Sequence, residues 1–145
     1  MNVFVANEQP VTVDEVRLVS LASHTLNAED VDEEAELSIL LVGADHIKRL
    51  NKRFAGAEYA TDVLAFPMMD NAEADLLLGD VVICPEVAQR NAAKLGHPLE
   101  EELDTLVVHG TLHLLGYDHQ GTTDKAAMDR RQQEVLESFA PSSMS

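Results

Sequence analysis

Between Pro98 and Gly116 the chain reads 99-LEEELDTLVVHGTLHLL-115. Proline can open a helix and glycine can close one. Leu103, Leu106, Val107, Leu112 and Leu115 recur at helical spacing. Glu100, Glu101, Glu102 and Asp104 crowd the first turns, where the helix dipole favours negative charge. A helix this apolar has to be covered by other elements, so the fold must be layered around it.

The other segments supply those layers. Residues 2–6 alternate as a short strand. Thr12 with Glu15 fits a capping box, and Val13, Val16, Val19 and Leu21 follow, so a helix is expected over 12–26. After the acidic loop 29–36, 37-LSILLV-42 reads as a strand. The segment 44-ADHIKRLNKRF-54 reads as a helix with Ile47, Leu50 and Phe54 inward, ended by Gly56. The segments 62-DVLAFPM-68 and 76-LLLGDVVI-83 read as strands, Gly79 marking a bend or a close approach. Pro85 suits the first position of a helix that runs to Gly96. A last helix over 122–138 has Met128, Val135 and Leu136 as its apolar contacts. The mixture predicts an α+β fold, a small mixed β-sheet covered by several α-helices. A chain of 145 residues is read as a single domain over 1–145, with a frayed tail from residue 140.

Composition narrows the setting. Cys84 is the only cysteine, so an intrachain disulfide is excluded and a reducing compartment fits. The N-terminus has no basic, apolar leader pattern, and the longest apolar runs are far too short to span a bilayer. A soluble cytoplasmic protein with no membrane partner is expected. The formal net charge of −16 argues against a broad electrostatic footprint for nucleic acid. Yet Lys48, Arg49, Lys52 and Arg53 are four of only ten Lys and Arg residues. Composition leaves two readings of them open, a solvated helix face or a local anion-binding strip.

Half of the six histidines fall in 109-HGTLHLLGYDH-119. On a helix His109 and His113 are one turn apart and project from one face. His119 follows Gly116, where the backbone can turn sharply and return it toward the same point. Three neutral imidazoles leave a tetrahedral zinc one open position, the mark of a catalytic rather than a structural site. One Zn2+ per chain is expected on His109, His113 and His119. The spacing is close to the zincin pattern H-E-x-x-H, but Gly110 stands where a metalloprotease carries its general-base glutamate. Gly110 more simply allows close packing under the metal. The general base is unassigned. Asp118, beside His119, is a candidate for orienting a ligand or handling a proton, or a turn residue. Asp62 is a second candidate, as a cleft-lining residue or a strand-opening cap, and Asp80 has the same two readings. Cys84 reads as a buried small hydrophobe. His97 reads as a neighbour of a helix start, His46 as exposed, and His24 as lacking supporting ligands.

The histidine block resembles the signature of the YbeY family, bacterial metal-dependent endoribonucleases of ribosomal RNA maturation. The blocks 50-LNKRFAG-56, 59-YATDVLAFP-67, 79-GDVVICPEVA-88 and 95-LGHPLEEELDTLVVHG-110 agree in order and spacing, so the resemblance spans about residues 37–137. It implies an α+β fold with zinc on His109, His113 and His119, and cleavage of single-stranded RNA. It also implies a cytoplasmic role in maturing the small-subunit rRNA 3′ end and in ribosome quality control. Ribosomal proteins or an assembly GTPase are the protein partners in view. In one place the chain departs from the family pattern: Ala55 stands where an arginine usually precedes the glycine. Arg53 lies two residues earlier, about 200° away on a helix, so the arginine's role is carried onto no residue. Lys48, Arg49, Lys52 and Arg53 are the RNA-binding candidates. Two other readings compete: a metallohydrolase of another substrate, which Gly110 disfavours for peptides, and a non-catalytic zinc-containing ribosome-assembly or adaptor module.

Overall fold

The computed structural model describes residues 1–68, 76–117 and 121–139. In chain order the elements are β1 (Asn2–Asn7), α1 (Glu15–Ala28), β2 (Glu36–Leu41), α2 (Ala44–Ala55), β3 (Val63–Pro67), β4 (Leu77–Ile83), α3 (Pro85–Leu95), α4 (Leu99–Leu114) and α5 (Thr122–Phe139). The sheet order is β1-β2-β4-β3. The first three strands are parallel and β3 pairs antiparallel to β4 at the edge. The α+β expectation is met.

Successive strand residues point to opposite faces, and both faces are apolar here. Leu37, Ile39, Leu41, Val81 and Ile83 face α1, α4 and α5, meeting Leu18, Leu21, Val107, Leu112, Met128 and Val135. On the other face Leu40, Leu64, Phe66 and Val82 gather around Ile47 of α2, with Val42 and Cys84. So α2 and α4 lie on opposite sides of the sheet. The segment 99–115 forms the central helix, as its pattern predicts, with Leu103, Leu106, Val107, Val108, Thr111 and Leu112 all buried.

Two glycines let backbones approach. A Cβ on Gly110 would lie 2.5 Å from Cγ1 of Val81, so α4 rests directly on β4. Gly79, at φ +133°, has the carbonyl oxygen of Phe66 where a Cβ would stand. In the first turns of α4, charge is paired rather than buried bare. Arg17 of α1 donates from Nη2 to Asp104 Oδ2 at 2.8 Å and from Nε to Oδ1 at 3.1 Å. This forked pair clamps α1 to α4.

Two local expectations are corrected. Helix α1 starts at Glu15, because Asp14 rather than Thr12 caps it, accepting from the Arg17 backbone N–H at 3.1 Å. The inward stripe is therefore Leu18, Leu21, Ala22, Thr25 and Leu26, and Val16 points to solvent. Phe54 is also not inward. Asn51, one turn after Ile47, takes the buried position and donates its amide to the Tyr59 carbonyl at 3.0 Å.

The contact at Gly110 yields a stability prediction. Gly110→Ala gains about 1 kcal/mol of helix propensity. It forces a methyl into Val81, and overpacking of this kind costs about 1–3 kcal/mol. Urea unfolding is expected to show net destabilisation. Val81→Ala in the same chain should recover part of it as a favourable coupling. Strictly additive effects of the two substitutions would contradict the contact.

Candidate metal centre

His109 and His113 both lie on α4, half-buried and one turn apart, as their spacing predicts. They sit at its C-terminal end, while Glu100, Glu101 and Glu102 occupy its first turn. The carbonyl end of a helix dipole favours a cation, so the scaffold is polarised in the sense a bound metal needs. The chain turns where glycine permits. Gly116 has φ +105°, and its N–H donates to the His113 carbonyl at 3.0 Å. The Tyr117 N–H donates to the Leu112 carbonyl at 3.1 Å.

Helix α5 supplies two supports that sequence reasoning missed. Nδ1 of His109 lies 3.3 Å from Oε1 of Gln132. An amide oxygen only accepts, so this bond places the proton on Nδ1 and leaves the Nε2 lone pair for a metal. The signal was present in the pattern: Gln132 is a polar residue at a stripe position, four after Met128 and three before Val135. The second support is its neighbour Arg131. The Tyr117 hydroxyl donates to Glu29 Oε1 at 2.8 Å, and Arg131 Nε donates to Glu29 Oε2 at 2.5 Å. Arg131 Nη2 also donates to the Ala28 carbonyl at 2.7 Å. Burial first, and then Glu29, push the Tyr117 phenol up, so it keeps its proton as donor. The chain leaving α4 is thus tied to α1 and α5 up to Tyr117.

His119 and Asp118 lie outside the described residues, and among those residues no three metal-ligating side chains come together. The two imidazoles present do suit zinc in donor type and spacing, and His109 in tautomer.

The remaining candidates are dispersed. Asp62 accepts from Asn91 Nδ2 at 3.3 Å and from Thr61 Oγ1 at 3.4 Å, while its carbonyl accepts from the Cys84 N–H. It stands at the start of β3, three residues before Ala65, the partner of Val81. That is roughly 10 Å along the strand from the level of Gly110. Asp80 is exposed on the α2 side of the sheet. Cys84 is buried, and burial pushes its thiol up. His97 bonds Glu102 at 2.7 Å, and His24 bonds Ser138 at 2.7 Å. His46 is half-buried beside Arg49 and Glu86 rather than exposed. Lys48, Arg49, Lys52 and Arg53 are exposed on α2, across the sheet from the histidines. Lys52 pairs with Glu58 at 3.3 Å, and Arg53 lies over the Phe54 ring. Helix α2 runs through Ala55, so Arg53 does not take over that position.

The family model for endoribonuclease YbeY matches residues 4–140. The chain belongs to the endoribonuclease YbeY family. Its relatives include "Endoribonuclease YbeY" of a Parafrankia species, 47% identical, the match covering 96% of this chain and 94% of the relative. The protein of the same description from Salinispora tropica is 42% identical, with 96% of each chain covered. Among solved structures, a Thermotoga maritima protein studied in solution superposes with a TM-score of 0.61 at 30% identity. That match covers 94% of this chain and 87% of the other.

If Gln132 sets the His109 tautomer, Gln132→Leu should weaken zinc binding about 10–100-fold. Gln132→Glu keeps an acceptor and should bind zinc nearly as wild type does. Competition against a chromophoric chelator checks this, and equal affinity of the Leu variant would contradict the role.

Proposed function

We propose that this endoribonuclease hydrolyses single-stranded RNA at a zinc centre on α4. Its tasks are maturation of the small-subunit rRNA 3′ end and ribosome quality control. The observation that carries the reading is the His109–His113 pair at the cation-favouring end of a buried helix, with the His109 Nδ1 proton committed to Gln132. His109, His113 and His119 would hold one Zn2+ per chain. Such a zinc supplies Lewis acidity toward phosphate and a water of lowered pKa.

The chain's own residues do the rest. The imidazoles bind through ring nitrogens, that of His109 oriented by Gln132. Tyr117, Glu29 and Arg131 hold the end of α4 from which the chain continues to His119. Gly110 leaves no zincin-type carboxylate at the helix, so a base must come from elsewhere, with Asp118 the nearer candidate in sequence. Asp62 is already committed to Asn91 and to the start of β3. Lys48, Arg49, Lys52 and Arg53 attract the phosphate backbone electrostatically. One domain over 1–145 carries the whole activity. The net charge of −16 disfavours indiscriminate RNA binding and leaves recognition of the ribosome to a protein partner, a ribosomal protein or an assembly GTPase. No helix among the described residues is long and apolar enough to cross a membrane. The free, buried Cys84 fits the reducing cytoplasm. No observation favours a structural zinc in an adaptor or a different hydrolytic substrate.

Zinc-loaded protein is expected to cleave a labelled single-stranded RNA, chelation to stop it, and His113→Ala to lose both bound zinc and cleavage. Cleavage at full rate by His113→Ala would overturn the mechanism. Peptide turnover abolished by chelation would move the substrate class.

A further inference from the structure

Two of the most exposed large rings in the molecule stand together with its densest positive charge. Phe54 is 59% exposed and Tyr59 60% exposed, on either side of the Gly56 turn that ends α2. Their placement is built rather than incidental. Gly56, at φ +72°, donates to the Lys52 carbonyl, and Ala57 donates to the Asn51 carbonyl, which folds the chain back along the helix end. Asn51 is 3% exposed, and its side-chain amide holds the Tyr59 carbonyl at 3.0 Å. A buried polar group thereby fixes where the Tyr59 ring emerges. Phe54 is braced edge-on against Phe66, with centroids 5.2 Å apart and planes at 66°. The Arg53 guanidinium carbon stands 5.3 Å from the Phe54 centroid.

A protein partner would call for a broad apolar patch. Here the rings are set among Lys52, Arg53 and Glu58, with Lys48 and Arg49 one turn back along α2. Exposed rings on a turn next to guanidinium and ammonium groups, with Arg53 over the Phe54 ring, match bases and phosphates instead. We infer that Phe54, Tyr59 and Arg53 form a base-stacking platform for the substrate strand, with its phosphates running along Lys48, Arg49 and Lys52. This inference rests on the ribonuclease reading above. It also says where on the strand the basic strip acts, given its position across the sheet from α4. The platform grips nucleotides flanking the cleaved bond, and the strand reaches the histidines around β3, the edge strand that touches both Phe54 and α4. It therefore acts on KM and leaves kcat alone.

The test uses zinc-loaded full-length protein and a labelled single-stranded RNA of about a dozen nucleotides, the same strand carrying abasic flanks, and both cleavage kinetics and anisotropy. Phe54→Ala and Tyr59→Ala are each expected to raise KM about tenfold on the normal strand. Neither should change KM on the abasic strand or kcat on either. Lys52→Ala should weaken both strands alike and lower the salt slope by about 0.7. Phe54→Trp and Tyr59→Phe should restore the wild-type KM, which separates stacking from misfolding. Equal KM values for wild type and alanine variants on the normal strand would overturn the platform while leaving the ribonuclease intact. Ring-dependent binding without any cleavage would keep the platform and overturn the ribonuclease reading. Losses equal on normal and abasic strands would also overturn the platform.

Discussion

Helix α4 meets strand β4 with only the Val81 side chain between them at Gly110, and most of the molecule is arranged around that approach. Val81 occupies the space a Cβ would need. Because α4 sits so low on the sheet, its remaining apolar positions are covered by α1, α3 and α5; its buried Asp104 is met by Arg17 and its buried Glu102 by His97. Its C-terminal end is left half-open, and that end carries His109 and His113. The site is thus a consequence of packing. Two imidazoles emerge from a rigid element where the helix dipole favours a cation.

The support for this site converges on two neighbouring residues of one helix. Arg131 and Gln132 are consecutive on α5 yet act on different parts of the centre, one through Glu29 on Tyr117 and one on His109. A single displacement of α5 would loosen both. That coupling gives the buried Met128 and Val135, which seat α5 against the core, a bearing on chemistry as well as on stability.

Much of this was legible in the sequence because it depends on local periodicity. The buried stripe of α4, the alternating faces of β2 and the turn at Gly116 need only side-chain spacing and backbone sterics to be read. What was missed depends on reach across the fold. Asp14 and Thr12 are both good caps two residues apart, and only the phase that buries Leu18 and Leu21 selects Asp14. Phe54 fits the stripe of α2 on paper, but Asn51 fills the buried place because Tyr59 needs its amide. Gln132 lies 23 residues from His109 and Glu29 lies 88 from Tyr117, separations at which sequence spacing carries no geometry. The position of the basic strip across the sheet is likewise a matter of topology, set by α2 packing on the face that α4 does not use.

If packing rather than metal holds α4 in place, the site exists before zinc arrives, as a catalytic centre requires and a structural zinc does not. Hydrogen exchange on chelator-stripped protein tests this most directly. The account predicts that residues 103–112 keep their slow exchange and that the stripped protein still unfolds cooperatively. Loss of protection across α4 on removal of zinc would contradict it, and would make the metal part of the fold rather than a guest in it.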